Sequence, residues 1–450
     1  MKVAVIGAGW AGIAAAVELS ARGAHPTLYE AANVGGGRAR RIEWDGRILD
    51  NGVHILLGAY RETLALMARV GAPADALMRL PLRLKIPGRL DLRAPSLPAP
   101  LHLLAALLTA RGLAWRDRLS AIRFARALQA ARFRVSSDFT VATLLDVHGQ
   151  GERLAELLWN PLCVAALNTP ASRASAQVFV NVLRDALFAD RTASEMLLPR
   201  RDLSSVMPGP ALAWLAAQGA VVKLRTRVRG LRSDAGAVVV ESDGEESFDH
   251  VVCAVAPHQL ADVTAALPTL AGLRESVATL EYESITTVYF GYPGSVRQEA
   301  PMTGLVDGPL QWLFDREALA GERGVLAGVV SASARVEHHD QQGLANASHR
   351  QLCAALGALP EPLWSKVVTE RRATFACVPG AFRAPARTPV AGLVLAGDYT
   401  EGDYPATIEG AVRSGLRAAR IVRESIGPRG SKPWLPPATT RCRPGCSPRG

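Results

Sequence analysis

Read for its apolar and polar positions, the chain opens on a short buried strand. Val3, Ala4, Val5 and Ile6 are apolar in succession, the pattern of a parallel strand covered on both faces. Gly7-Ala8-Gly9-Trp10-Ala11-Gly12 follows at once. Ile13 to Ala21 then predicts a helix, and Pro26 to Glu30 a second strand. In the middle of the chain, Val221 to Leu231 and Ala237 to Glu241 alternate like strands of a small sheet. Phe248 to Ala256 runs as a buried strand ending at Pro257, and Ser284 to Phe290 and Gly324 to Ser331 are further strand-like runs. Near the far end, Gly392 to Ala396 is a short apolar strand. Gly397-Asp398, Pro405-Ala406-Thr407 and a helix from Ile408 to Arg423 come after it. On that helix Gly410, Ala411, Ser414, Gly415 and Ala418 share one face, so it can press closely on a sheet or a ligand. This alternation of strand and helix predicts an α/β fold.

Composition narrows the picture. A chain of 450 residues is too long for one core, so two domains are expected. With 49% hydrophobic and 20% charged residues it is globular rather than disordered. No run of about twenty apolar residues exists, so no spanning helix is expected, and the opening segment lacks the features of a secretory signal. Six cysteines are scattered, and only Cys442 and Cys446 lie close together. Two thiols with no histidine nearby make a poor zinc site, so no metal is assigned.

The first thirty residues carry a nucleotide-binding signature. G-x-G-x-x-G alone is weak, but here a strand precedes it, a helix follows, and an acid lies at the right distance. Gly7 permits the tight turn, Gly9 lets backbone approach a pyrophosphate, and Gly12 lets helix and strand pack closely. The helix N-terminus offers N–H groups and a positive dipole end to phosphate. Glu30 can accept bonds from ribose hydroxyls and would repel a 2′-phosphate, which disfavours NADP. Gly35-Gly36-Gly37-Arg38 follows, a second glycine-arginine turn that suits a larger dinucleotide, FAD, whose phosphates or ring edge Arg38 can reach. At the other end Asp398, after Gly397, can bond a ribityl hydroxyl. Thr407 is a candidate N-cap, and the helix start at Thr407 and Ile408 can stabilise negative charge on a flavin ring.

These motifs together resemble the flavin amine oxidase and phytoene desaturase superfamily. The carrying residues are Gly7 to Gly12, Glu30, Gly36-Gly37-Arg38, Gly397-Asp398 and Gly410-Ala411-Val412-Arg413-Ser414-Gly415. The resemblance implies an FAD-binding Rossmann-like domain of glutathione-reductase type with an inserted α+β substrate domain. It also implies that Val228 meets adenine through its backbone. The FAD-binding domain would be discontinuous, built from residues 1–58, 200–268 and 386–427. Residues 59–199 and 269–385 would form the substrate domain, and residues 428–450 a disordered tail.

Two segments resemble a narrower group, the bacterial hydroxysqualene dehydroxylases of hopanoid synthesis. One runs from Leu49-Asp50-Asn51-Gly52-Val53-His54 to Tyr60. The other runs from Trp159-Asn160-Pro161 through Asn168-Thr169-Pro170 to Leu183-Arg184-Asp185-Ala186-Leu187. That group carries Gln where this chain has Val53. The resemblance implies reductive removal of an allylic hydroxyl from a C30 isoprenoid, giving squalene, with an electron donor of unassigned identity. Loss of hydroxide needs an acid. His54, just after the glycine turn expected near the flavin, is one candidate, although it also suits a structural role bonding backbone. Glu409 is a second, although it also suits a helix cap. A carotenoid-type desaturase is the alternative activity. An amine oxidase would usually place a Lys near the flavin, and neither Lys366 nor Lys432 sits in such a setting. A binding protein on this fold, like the GDP-dissociation inhibitors, would show decayed flavin motifs.

The net charge of +10 is concentrated. Between Arg83 and Arg134 eleven basic residues face only Asp91 and Asp117, with Leu97 to Leu108, Leu113, Trp115 and Leu119 between them. A basic amphipathic helical region suits an anionic membrane surface. Nucleic acid is disfavoured because no reading helix or stacking platform is apparent. The protein is therefore expected in the cytoplasm, peripheral on the cytoplasmic face of the inner membrane.

Overall fold

A computed structural model describes residues 2–333 and 340–425. Its organising element is a five-stranded parallel sheet. The strands lie in the order Val221–Lys223, Thr27–Tyr29, Val3–Ile6, His250–Cys253 and Leu393–Leu395. The two middle strands, Val3–Ile6 and His250–Cys253, are apolar except at His250, as a sheet covered on both faces requires. The sequence order reverses beside Val3–Ile6, so a crevice opens at the carboxyl ends of the strands, where dinucleotides bind in such sheets.

The first helix, Trp10–Ala21, and the C-terminal helix, Ile408–Glu424, pack together through small residues. A Cβ on Gly415 would lie 2.0 Å from the carbonyl oxygen of Ala11. A Cβ on Gly12 would lie 1.9 Å from the carbonyl oxygen of Gly7. Both helices therefore approach their neighbours at distances that no other residue permits.

A second five-stranded sheet is antiparallel. Its order is Met302–Gly304, Trp312–Asp315, Val325–Ser331, Tyr282–Gly291 and Trp364–Phe375. Helix Gln341–Leu356 covers one side through Leu344, Ala345 and Leu352. Helices between Leu101 and Leu183 form a cluster whose buried residues merge with the core of both sheets.

Two readings of the sequence are corrected. Val221–Lys223 is not part of the small middle sheet; it is the edge strand of the parallel sheet, paired with Thr27–Tyr29. The small sheet is made by Gly230–Asp234, Ala237–Glu241 and Glu245–Phe248. Alternation identifies a strand but not its sheet. The region 83–134 is not helical throughout. Arg83–Ile86 and Leu90–Arg93 form a hairpin, with buried Leu84, Ile86, Leu90 and Leu92 alternating with charged residues. Helices follow only at Leu101–Thr109 and Trp115–Ala130. The expected tail, with Cys442 and Cys446, lies outside the described residues, as does Lys432. Among the described residues no group of His, Cys, Asp and Glu is arranged to hold a metal. Among them also, no helix is long and apolar enough to cross a membrane.

Candidate flavin site and substrate pocket

The two glycine turns lie against each other. The Gly36 amide donates to the Ala8 carbonyl at 2.8 Å, and Gly9 and Gly36 form a parallel bridge. No side chain caps the first helix at Gly9, so its leading amides are left to a ligand. A Cβ on Gly9 would meet only the Gly37 Cα, at 3.9 Å. The space in front of this turn is a cradle that a larger residue would fill. Glu30 ends its strand as expected, its two oxygens accepting from the Ala8 and Ala32 amides at 2.8 Å each. The carboxylate is thereby fixed at the mouth of the glycine turn. Val228 is buried in the loop that follows the edge strand.

The distant parts of the expected cradle are brought together. Arg38 Nη2 donates to Asp398 Oδ1 at 2.6 Å, and Nη1 to the Ala373 carbonyl at 2.8 Å. Burial disfavours the Arg38 charge, but Asp398 more than offsets this and raises its pKa. Each was expected to meet the cofactor separately; here they hold each other across the sheet. Asn51 locks the arrangement by donating to the Arg38 carbonyl and accepting from the Arg40 amide. Gly397 is fixed by the Ser414 hydroxyl, which accepts its amide at 2.8 Å. Thr407 is the N-cap, its hydroxyl accepting the Gly410 amide at 3.1 Å. The Ile408 amide sits in the first turn of that helix, where amides lack intrahelical partners. Free helix-start amides, an acid fixed at the end of the second strand, a half-buried arginine and a glycine-lined cradle form a donor set that fits FAD.

Neither acid candidate is placed for proton donation. Glu409 is fully buried. One oxygen accepts from the Thr63 amide and hydroxyl at 3.0 and 2.7 Å, the other from the Glu62 amide at 3.2 Å and Arg413 Nε at 2.7 Å. It ties the start of helix Arg61–Arg69 to the C-terminal helix. His54 Nδ1 lies 2.8 Å from the Gly52 carbonyl oxygen. A carbonyl only accepts, so Nδ1 carries the hydrogen and Nε2 is a bare acceptor. Burial lowers the His54 pKa, and nearby Arg38 lowers it further against the Gly52 bond. The ring is neutral at neutral pH. Val53 supplies no polar side chain; its amide faces the Thr287 hydroxyl at 3.4 Å.

Beside the cradle lies an apolar pocket with a cavity volume of about 150 Å³. Its walls include Ile55, Leu162, Ala166, Phe179, Leu183 and Met302. Tyr404, Pro405 and Thr407 line one part of it, so the turn that caps the C-terminal helix belongs to cradle and pocket alike. Arg383 fixes this turn by donating to the carbonyls of Asp398, Thr400 and Tyr404 at 3.0–3.1 Å. The sequence reading missed Arg383, because nothing along the chain marks an arginine that bonds carbonyls 15 to 21 positions away. It also gave no role to Asp185 and Tyr404. Their one sequence signal is the charged pair Arg184-Asp185 inside an otherwise apolar helical run.

Comparison with known proteins agrees with this geometry. Residues 10–423 match the family model described as flavin containing amine oxidoreductase. The chain is 32% identical to the hydroxysqualene dehydroxylase of Rhodopseudomonas palustris, covering 93% of this chain and 98% of that protein. A protein described as a probable zeta-carotene desaturase, from Synechococcus elongatus, is 26% identical over 94% of this chain and 99% of its own. In three dimensions the fold is similar to putrescine oxidase bound to putrescine, with a TM-score of 0.67 and 17% identity over 94% of this chain and 99% of that one. The chain is an FAD-dependent oxidoreductase that belongs to the flavin containing amine oxidoreductase family and, within it, to the hydroxysqualene dehydroxylase family.

Proposed function

We propose that this chain reductively removes the allylic hydroxyl of hydroxysqualene, giving squalene and water. The observation that carries the reading is the apolar pocket whose wall includes Tyr404, Pro405 and Thr407, the turn at the start of the C-terminal helix. A C30 isoprenoid has almost no polarity, so its binding energy comes from apolar burial and its specificity from shape. Reduced FAD, when bound, would supply two electrons and the hydrogen of the new C–H bond, and its second hydrogen, released as a proton, balances loss of the hydroxyl as water. The remaining work falls to the chain. Gly7, Gly9, Gly12, Glu30, Gly36, Gly37, Arg38, Val228, Gly397, Asp398, Thr407 and Ile408 hold the cofactor. The aliphatic walls exclude water and orient the substrate. Thr407 and Ile408, at the positive end of a helix, stabilise negative charge at the flavin edge.

The substrate reaches the pocket from an anionic membrane surface on the cytoplasmic face of the inner membrane. Leu101, Leu104, Trp115 and Leu119 are exposed, Trp115 by 64%, and Arg116 stands beside them. Helix Leu101–Thr109 turns His102 inward, 3.2 Å from the hydroxyl of Ser194, which lines the pocket. One of the two helices that carry the apolar surface thus touches a residue of the pocket wall. The basic excess is smaller than the sequence suggests. Arg83 pairs with Asp91, Lys85 with Glu299 and Arg89 with Asp307.

Incubating the flavin-loaded protein anaerobically with a chemical reductant and hydroxysqualene tests the activity. Squalene is the expected product; its absence while flavin stays bound rejects the proposal. Carotenoid-type desaturation is the second reading, favoured by the desaturase relative, and new double bonds formed by the oxidised enzyme would establish it.

A further inference from the structure

We propose that Asp185 and Tyr404 bind the substrate hydroxyl, and so make the pocket prefer an allylic alcohol over a hydrocarbon of the same length. This inference rests on the dehydroxylation reading above.

An apolar pocket has no means of telling alcohol from hydrocarbon unless some part of its wall is polar. Six residues with a polar side-chain atom line this one, Tyr60, Asp185, Ser194, Trp312, Tyr404 and Thr407, and Trp312 brings only an indole N–H, buried and without a partner among the described residues, which donates but cannot accept. Two of their hydroxyls are committed elsewhere. Ser194 donates to the Arg191 carbonyl at 2.8 Å and faces His102. Thr407 donates to the Pro405 carbonyl and accepts from Gly410. Tyr60 lies beside the Thr407 hydroxyl. Asp185 and Tyr404 form a different kind of group. The Tyr404 hydroxyl donates to Asp185 Oδ2 at 2.8 Å. Arg184 Nε donates to Asp185 Oδ1 at 2.7 Å, and its Nη2 to Oδ2 at 3.2 Å. A carboxylate offers about four acceptor directions; these three donors leave room for one more. An alcohol O–H is such a donor, and an ionised acceptor roughly doubles the bond strength. Burial alone would raise the Asp185 pKa, but Arg184 and Tyr404 hold it below the usual carboxylate range. Asp185 is therefore ionised at neutral pH.

Local structure explains why the charge faces inward. Arg184–Phe188 forms one π-helical turn at the end of helix Ala176–Leu183. Such widened turns are frequent at functional sites. Tyr404 is held from the other side. Its ring lies under Arg413, 4.3 Å from the guanidinium, and its carbonyl accepts from Arg383. Arg383 also holds the Asp398 carbonyl, so the hydroxyl-binding pair is fixed to a residue of the flavin cradle. A hydroxyl bound here sets the adjoining carbon beside the turn that cradle and pocket share.

The test measures affinity rather than turnover alone. Flavin-loaded wild type, Asp185→Asn and Tyr404→Phe would be titrated with hydroxysqualene and with squalene, following the absorbance of the bound flavin. Loss of a hydrogen bond to a charged group weakens binding about 10- to 100-fold. That loss is expected for the alcohol in Asp185→Asn, and a smaller one in Tyr404→Phe, whose ring still packs under Arg413. Squalene affinity should stay within about twofold. Parallel losses for both ligands, or an unchanged preference, would overturn the inference. If Asp185→Asn does not fold, Tyr404→Phe still decides it. Failure of the underlying reading is a separate outcome: the wild type would form no squalene.

Discussion

Replacing Glu409 separates a structural carboxylate from a catalytic one. Its side chain is wholly buried, receives four hydrogen bonds and joins two helices 346 positions apart. In Glu409→Ala, two helix-start amides, the Thr63 hydroxyl and Arg413 all lose their acceptor. Each buried donor left unpaired costs about 1–3 kcal/mol, while Arg413, more than a third exposed, regains water in place of its carboxylate and adds little. Because these contributions overlap, about 3–5 kcal/mol is expected in total. Unfolding entropy scales at about 2.1 cal/mol/K per residue, or about 0.9 kcal/mol/K for a chain of this length, so Tm should fall by about 3–6 °C. Glu409→Gln keeps one carbonyl acceptor and should lose about half as much. The assay pairs a thermal melt with activity per bound flavin at 20 °C. The account predicts a lower Tm in both variants and turnover per flavin within about threefold of wild type in Glu409→Gln. An unchanged Tm with turnover abolished would refute the structural assignment and restore Glu409 as the acid.

Other outcomes follow from the same geometry. Arg38→Lys keeps the charge but lacks the fork that reaches Asp398 and Ala373 together, so the purified protein should hold less FAD, measured by the flavin-to-protein absorbance ratio. Gly415→Ala places a Cβ 2.0 Å from the Ala11 carbonyl and should lower stability by about 1–3 kcal/mol in a denaturant melt. The lowered His54 pKa means that the unfolded chain binds the proton more readily. His54 therefore stabilises the fold above its unfolded pKa of about 6.5, and stability drains away as pH falls below that value. His54→Gln should flatten this part of the stability-pH curve while keeping a side-chain donor for Gly52. Trp115→Asp, on an exposed face, should reduce sedimentation with anionic liposomes while leaving flavin content unchanged; equal sedimentation would remove the membrane-docking reading.

How much of this was legible along the chain depends on the range of the interaction. The glycine turn, Glu30 and the Thr407 cap are local, and residue type with spacing located all three. Arg38 and Asp398 were read one at a time as cofactor ligands, yet their partnership spans 360 positions, and no pattern along the chain encodes it. Asp185 and Tyr404, 219 positions apart, were opaque for the same reason. The hairpin Arg83–Arg93 was misread because its basic residues drew attention to charge, while the alternation of Leu84, Ile86, Leu90 and Leu92 is the period of a strand. His54 was a candidate acid by its place after the glycine turn, but its protonation state depends on the Gly52 carbonyl and on burial, which composition does not reveal.

The most direct test of the central claim is a single turnover. The bound FAD is reduced anaerobically, excess reductant is removed, and hydroxysqualene is added while flavin absorbance and product are followed together. The account predicts reoxidation of the flavin with one squalene formed per flavin. A flavin that stays reduced in the presence of bound hydroxysqualene, with no squalene formed, would contradict it.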